Sequence, residues 1–319
     1  MSPRQFRTKH VVPAANFESY PLEWDEIFGR KAHLGVEIGF GNGEFLVNWA
    51  KQQCDWNFVG IDLSIGSTER LQKRLMDNSI NNVRIINDDA RFALRELFFN
   101  DSVEQVKMNF PDPWPKERHK ERRMLRASFI QILAAVLKIH GRFELVTDQL
   151  WLVEETRSLF LQTPFFTVTE IEKNPNRLVD TKYEKKWRKS GGEIFRIESS
   201  KEKNTNISRI LENPKMPHKI IKKSIRPEQI QSLAGAEHSE ENTMFVVKEI
   251  FADYRNNNYL LRMITKDIDY QQKFFVLITN RKMQDNVESW LVKLDDSVRT
   301  YRTPAVKIAV QRIGEILSQ

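Results

Sequence analysis

Residues 34–46, Leu-Gly-Val-Glu-Ile-Gly-Phe-Gly-Asn-Gly-Glu-Phe-Leu, set a short apolar strand directly before three alternating glycines and the opening of a helix through about Gln52. A buried strand that turns through glycines into a helix is the first half of a βαβ unit, and it commits the chain to an α/β sheet with parallel strands. Gly39, Gly41 and Gly43 let the backbone turn sharply and approach a ligand that any β-carbon would push away. A dinucleotide fingerprint needs a further small residue where this chain has Glu44, whose carboxylate at the helix amino terminus would repel a pyrophosphate. A nucleoside cofactor without phosphates suits Glu37 and Glu44 better. S-adenosylmethionine is the common one, and its cationic sulfonium tolerates nearby carboxylates.

Further acids fall at the ends of the strands that follow. Residues 56–61 read as a second strand ending in Asp62, the place where ribose hydroxyls are held in such sheets. A helix over 66–77 and a strand over 83–86 lead to Asn87-Asp88-Asp89-Ala90. Asp89, with Asp88 as second choice, is therefore a candidate for an adenine amino group, although each acid alone serves as often as a helix cap.

Asn109-Phe110-Pro111-Asp112-Pro113-Trp114-Pro115-Lys116 leaves a strand over 103–110 through three prolines, so the loop must be stiff and outside the core. It carries a carboxylate that can accept hydrogen bonds from a base and an indole that can stack on one. The cationic run of Lys116, Arg118, Lys120, Arg122 and Arg123 can neutralise phosphates. The plainer alternative is a proline turn and a solvated charged helix start.

Beyond it, apolar spacing predicts a helix over 126–139 with Gly141 as its C-cap, then a strand over 142–147 delivering Asp148. A helix over 150–161, strands over 165–171 and 193–197, and a polar loop over 174–189 complete the sheet. That loop holds Thr181-Lys182-Tyr183-Glu184 and then Lys185, Lys186, Trp187, Arg188 and Lys189, where cations interleaved with aromatics suit looped RNA.

The chain has 319 residues and a formal net charge of +7, which favours two domains and a polyanionic partner. Cys54 is the single cysteine, so no intramolecular disulfide or cysteine-based zinc cluster forms, no metal is implied, and a reducing cytoplasmic setting is expected. Neither a signal-peptide core nor a membrane-length apolar run is present, so no membrane partner is expected. Residues 1–30 read as a basic amino-terminal arm, 31–199 as the sheet domain and 200–219 as a linker rich in Lys, Glu, Asn and Ser. Residues 220–319 read as a small α+β unit, with strands over 243–254, 259–266, 273–279 and 288–294. A closing helix follows, with Thr303 as cap, Pro304 at its first position and an apolar face of Val306, Val310, Ile313 and Leu317.

The set E-I-G-F-G-N-G-E-F, the acid at 62, D-D-A, N-F-P-D-P-W-P-K-x-R-H-x-x-R-R, T-D at 147–148 and T-K-Y-E resembles the bacterial tRNA (guanine-N7-)-methyltransferases over about residues 31–199. The resemblance implies a class I, Rossmann-like methyltransferase fold, S-adenosylmethionine as cofactor, tRNA as partner and 7-methylguanosine in the variable loop as product. It places cofactor contacts at Glu37, Asp62, Asp89 and Asp112, with Asp112 also the catalytic residue. Substrate contacts fall at Lys116, Asp148 and Thr181, Lys182, Tyr183 and Glu184, and RNA contacts at Arg118, His119, Lys120, Arg122 and Arg123. Asp62 stands where the family often has Glu, and Pro115 where it often has His. Some members from heat-loving bacteria carry a carboxyl-terminal extension, which the second unit resembles. Two other readings stay open: an enzyme methylating an exocyclic amine, because Asp112-Pro113-Trp114 partly matches a D-P-P-W loop, and a non-catalytic RNA-binding protein on the same fold.

Overall fold

Two strands buried along their whole length, β1 (Leu34–Ile38) and β2 (Asn57–Ile61), pair side by side within the first sheet. The computed structural model describes residues 9–177, 184, 191–211, 215–253, 255–284 and 287–319. The chain divides into two units, Met1–Val12 with Pro21–Arg209, and Pro13–Tyr20 with Ile210–Gln319. Among the described residues no helix is long and apolar enough to cross a membrane.

In the first unit, β3 (Val83–Ile86), β4 (Val103–Asn109), β5 (Leu137–Thr147), β6 (Phe166–Val168), β7 (Glu172–Lys173) and β8 (Phe195–Lys201) join them. The strand order is β3-β2-β1-β4-β5-β8-β6, with β7 paired to β8. The strands from β3 through β5 pair in parallel, and β8 runs antiparallel to β5. The interleaved helices are α1 (Trp24–Phe28), α2 (Glu44–Gln52), α3 (Ile65–Asp77), α4 (Ala90–Leu97), α5 (Ala127–Val136) and α6 (Leu150–Leu161). This is the expected doubly wound, mostly parallel sheet. Strand order reverses between β1 and β4, and ligands of such sheets bind in the crevice outside the carboxyl ends of the strands at that point.

One boundary differs from the sequence reading. The helix stops at Val136 and β5 begins at once, so Gly141 lies inside the strand and is not a C-cap. Pairing slips between Val103 and Gln105, and the extra residues loop out with His140 at φ +62°. A β-carbon on Gly141 would lie 2.8 Å from the Lys138 carbonyl oxygen and 3.1 Å from that of Val103. The glycine is there for a bulge, a role that a capping pattern imitates.

The ends of this unit are tied down. His10 and Val12 exchange backbone hydrogen bonds with Ile85 at 2.8 and 2.9 Å, so this part of the expected arm closes the free edge of β3. Residues 200–209, expected as linker, begin as the end of β8. Buried Lys201 donates to the Leu137 carbonyl at 2.6 Å and to Asp101 at 2.5 Å, and Arg209 donates to the Phe98 carbonyl at 2.8 Å and to Asn100 Oδ1 at 2.7 Å.

The second unit is a six-stranded antiparallel sheet of β9 (His218–Ile221), β10 (Glu237–Glu240), β11 (Thr243–Asp253), β12 (Asn258–Asp267), β13 (Tyr270–Gln284) and β14 (Val287–Leu294). Its order is β10-β11-β12-β13-β14-β9. A short helix α7 (Pro227–Gln231) and the long α8 (Pro304–Ser318) complete it. Val306, Val310, Ile313 and Leu317 of α8 are buried with Val247, Leu261 and Val276 of the sheet, as the helical spacing requires. Thr303 stands at the N-cap position but makes no side-chain cap bond; Asp267 accepts from the Ala305 N–H at 2.8 Å instead.

Because Arg209 anchors the chain after β8, Arg209→Ala is expected to destabilise the first unit by about 2 kcal/mol, the cost of charged hydrogen bonds lost from a half-buried site. Lys203→Ala, at an exposed position, should stay within about 0.5 kcal/mol. Urea unfolding of both variants checks this.

Candidate active site

The crevice between β1 and β4 is bordered by backbone and carboxylates that the strands deliver at their carboxyl ends. Gly39, Gly41 and Gly43 all have positive φ, 69°, 54° and 74°. A β-carbon on Gly39 or Gly41 would meet nothing within 4 Å, which leaves open space at the turn, whereas one on Gly43 would lie 2.5 Å from Leu71. The first two glycines therefore keep the backbone bare beside the crevice, and the third brings α2 close to α3. The Gly41 N–H donates to Asp62 Oδ2 at 3.0 Å, and the Ser64 N–H donates to Asp62 Oδ1 at 2.8 Å, so this carboxylate is held in place with lone pairs to spare. Leu63 and Ile65, 68% and 69% exposed, leave apolar surface beside it. The sequence reading passed over that pair, although two apolar residues close behind a strand-end acid were a visible signal.

Glu37 is strongly perturbed. It is buried inside β1, its Oε1 accepts from Asn109 Nδ2 at 3.0 Å, and its Oε2 has no hydrogen-bond partner. Burial pushes its carboxyl up to about 7, opposed by the Asn109 hydrogen bond and by the charges of Arg177 and Lys107, and reinforced by Asp62. A buried carboxylate oxygen without a donor is matched by a ligand that brings a cation or an N–H. The ammonium of an amino-acid-bearing nucleoside fits this requirement, and so do the bare glycines.

Asp89 is engaged otherwise. It caps α4 by accepting from the Arg91 N–H at 2.8 Å, and it pairs with the Arg91 guanidinium at 2.7 Å. Asp88 accepts from the Asp89 N–H at 2.8 Å. An adenine amino group would have to share Asp89 with Arg91.

The proline loop leaves β4 with Phe110 at φ +50° and Trp114 at φ +45°, conformations that bulky residues hold only under constraint. Asp112 is exposed at its turn and Lys116 is exposed after it. The Arg122 guanidinium lies 4.9 Å from the centre of the Trp114 ring, and His119 meets the same ring edge-on. Arg118 and Arg122 are exposed, while the side chain of Lys120 lies outside the described residues. Arg123 corrects the sequence reading. It is buried, donates to the Trp114 carbonyl at 3.1 Å and to both oxygens of Glu155, and stacks over Trp151. It fastens the loop to α6. Sequence spacing shows a cation here but not the acid 32 residues on that takes it up.

Asp148 is half-buried at the end of β5, next to Thr147, whose hydroxyl accepts from the Gln149 N–H. Thr181, Lys182 and Tyr183 lie outside the described residues. Glu184 is fully buried, and its Oε1 accepts from Arg177 Nη1 at 2.6 Å. No group of three or more potential metal ligands occurs among the described residues.

Residues 31–197 match a family model described as "Putative methyltransferase". The chain is 40% identical to the tRNA (guanine-N(7)-)-methyltransferase of Thermotoga maritima, over 98% of this chain and 97% of that protein. It is 30% identical to the protein of the same name from Aquifex aeolicus, over 90% and 94%. A solved antibiotic-related methyltransferase is 18% identical, with a TM-score of 0.42 over 56% of this chain and 92% of its own.

The raised Glu37 carboxyl has a consequence for stability. Its folded value near 7 stands above the ordinary 4.5, so its contribution is fully present below about 4.5 and is lost as pH rises through 7. That shift amounts to about 3 kcal/mol. Between pH 4.5 and 8, wild-type protein should therefore lose about 3 kcal/mol relative to Glu37→Gln, measured by urea unfolding. Parallel pH profiles for the two proteins would show that the carboxylate is hydrated.

Proposed function

The chain belongs to the tRNA (guanine-N7-)-methyltransferases, and on that premise we propose that this protein methylates N7 of a guanine in the tRNA variable loop with S-adenosylmethionine as donor. The observation that carries the reading is the partnerless Oε2 of Glu37, set beside bare glycines and the fixed carboxylate of Asp62 at the β1/β4 crevice. When bound there, S-adenosylmethionine supplies a methyl group made electrophilic by its sulfonium.

The residues then have the following parts. Glu37 receives the ammonium, Asp62 accepts from ribose hydroxyls, Leu63 and Ile65 give the adenine an apolar surface, and Asp89 shares its acceptors between Arg91 and the adenine amino group. Guanine N7 attacks with a lone pair. Its bond to carbon forms as the carbon–sulfur bond breaks, and no proton leaves, so no strong base is needed and alignment dominates. Positive charge moves onto the base. Asp112, projecting from a loop that prolines and Arg123 hold rigid, accepts from the guanine edge and stabilises that charge together with Asp148. Trp114 shapes the pocket, and Lys116 and the segment 181–184 complete the hold on the base. Arg118 and Arg122, exposed beside it, meet phosphates with His119 and Lys120.

Incubation with total tRNA and labelled cofactor should yield 7-methylguanosine; a methyl group on an exocyclic amine, or none, would overturn the reading. Asp112→Ala should lower kcat about a hundredfold or more while tRNA affinity stays within about threefold. Neutralising Arg118 or Arg122 should flatten the slope of log affinity against log salt by something under about one unit. Arg123→Ala should leave that slope unchanged and reduce kcat, because it frees the loop from α6.

A further inference from the structure

Glu37 does not stand alone. Its Oε1 accepts from Asn109 Nδ2 at 3.0 Å, Asn109 Oδ1 accepts from Arg177 Nη2 at 2.6 Å, and Arg177 Nη1 donates to Glu184 Oε1 at 2.6 Å. The Arg177 side chain is 4% exposed and that of Glu184 is wholly buried. Arg177 also lies over the Phe45 ring, 5.0 Å from its centre, and 3.8 Å from Glu144. The chain of bonds has one sense only. Turning the Asn109 amide over would set its NH2 against the guanidinium, a repulsive contact between donors.

We propose that Arg177 is a positioning residue which, through Asn109, couples Glu184 to the acid Glu37, so that guanine and cofactor bind cooperatively. This rests on the methyltransferase reading above. The two ends of the relay belong to different ligands: Glu184 is assigned to the base, and Glu37 carries the partnerless oxygen assigned to the cofactor ammonium. The middle has its own consequence for the reaction. Asn109 is the last residue of β4 and is followed directly by Phe110 at φ +50°, so its hold on Arg177 and Glu37 fixes where the loop bearing Asp112 begins. A cation settling on Glu37 changes the pull on the Asn109 amide and, through it, on Arg177. Glu184 holds the guanidinium from the other end. Coupling of this kind is reciprocal and is typically about 5–150-fold.

The test is the affinity for S-adenosylhomocysteine, measured by calorimetry on the full-length protein with and without saturating substrate tRNA. Wild-type protein should bind it about fivefold or more tightly when tRNA is present. Arg177→Lys has one ammonium in place of the planar fork and cannot serve Asn109 and Glu184 together. Its ratio should fall below about twofold. Asn109→Ala, which keeps the Arg177–Glu184 pair and cuts the relay in the middle, should show the same loss and carries the test if the lysine variant does not fold. A purely structural role would lower melting temperature and both affinities but leave the ratio as in wild type, and that result overturns the proposal. A wild-type ratio near one, in protein that makes 7-methylguanosine, overturns it too and leaves the function intact. Absence of 7-methylguanosine removes the functional reading first.

Discussion

A carboxylate inside the central strand of a parallel sheet is the constraint around which the site is arranged. Glu37 sits where its neighbours along β1 are wholly apolar, and a charge there loses its hydration. The protein answers with the Asn109 amide on one oxygen and the charges of Arg177 and Lys107 nearby, and leaves the other oxygen without a donor. A structure selected for stability alone would place an apolar residue here. The cost, and the bare glycines next to it, make sense if a cationic ligand completes the arrangement.

Much of this was legible in the sequence because it is local. The strand–glycine–helix opening, the acids at strand ends and the proline loop each announce themselves within a dozen residues, and the sheet follows from the alternation of apolar runs and helical spacing. What the sequence hid is non-local. Arg123 reads as one more cation in a basic run, and only the packing of α6 turns it toward Glu155. Arg177 and Asn109 are 68 residues apart, and neither has a sequence context that marks it for the other. Gly141 was misread for a different reason: a glycine after a helical pattern fits a cap and a bulge equally well, and the register of β4 against β5 decides.

The second unit shows the same division. Its long strands and the Pro304 helix follow from alternation and capping signals, whereas β9, α7 and β10 are too short to stand out. Residues 13–20 group with this unit and residues 201–209 with the first, so the sequence boundary at a polar stretch falls short of the structural one. The match to the Thermotoga maritima protein runs over nearly the whole chain, so the second unit belongs to what the two proteins share. Its sheet core is apolar and closed by α8.

On the proposed reading Glu37, its carboxyl pushed up to about 7, is poised for a cationic cofactor that ionises it on binding. With its carboxyl near 7, Glu37 is mostly protonated at pH 6 and must release its proton when the ammonium arrives. Calorimetric titration with S-adenosylmethionine at pH 6, in two buffers of different ionisation enthalpy, counts that proton directly. Wild-type protein should release about one proton per cofactor bound, and Glu37→Gln none. Binding without proton release in the wild type, or equal release in both proteins, would contradict it.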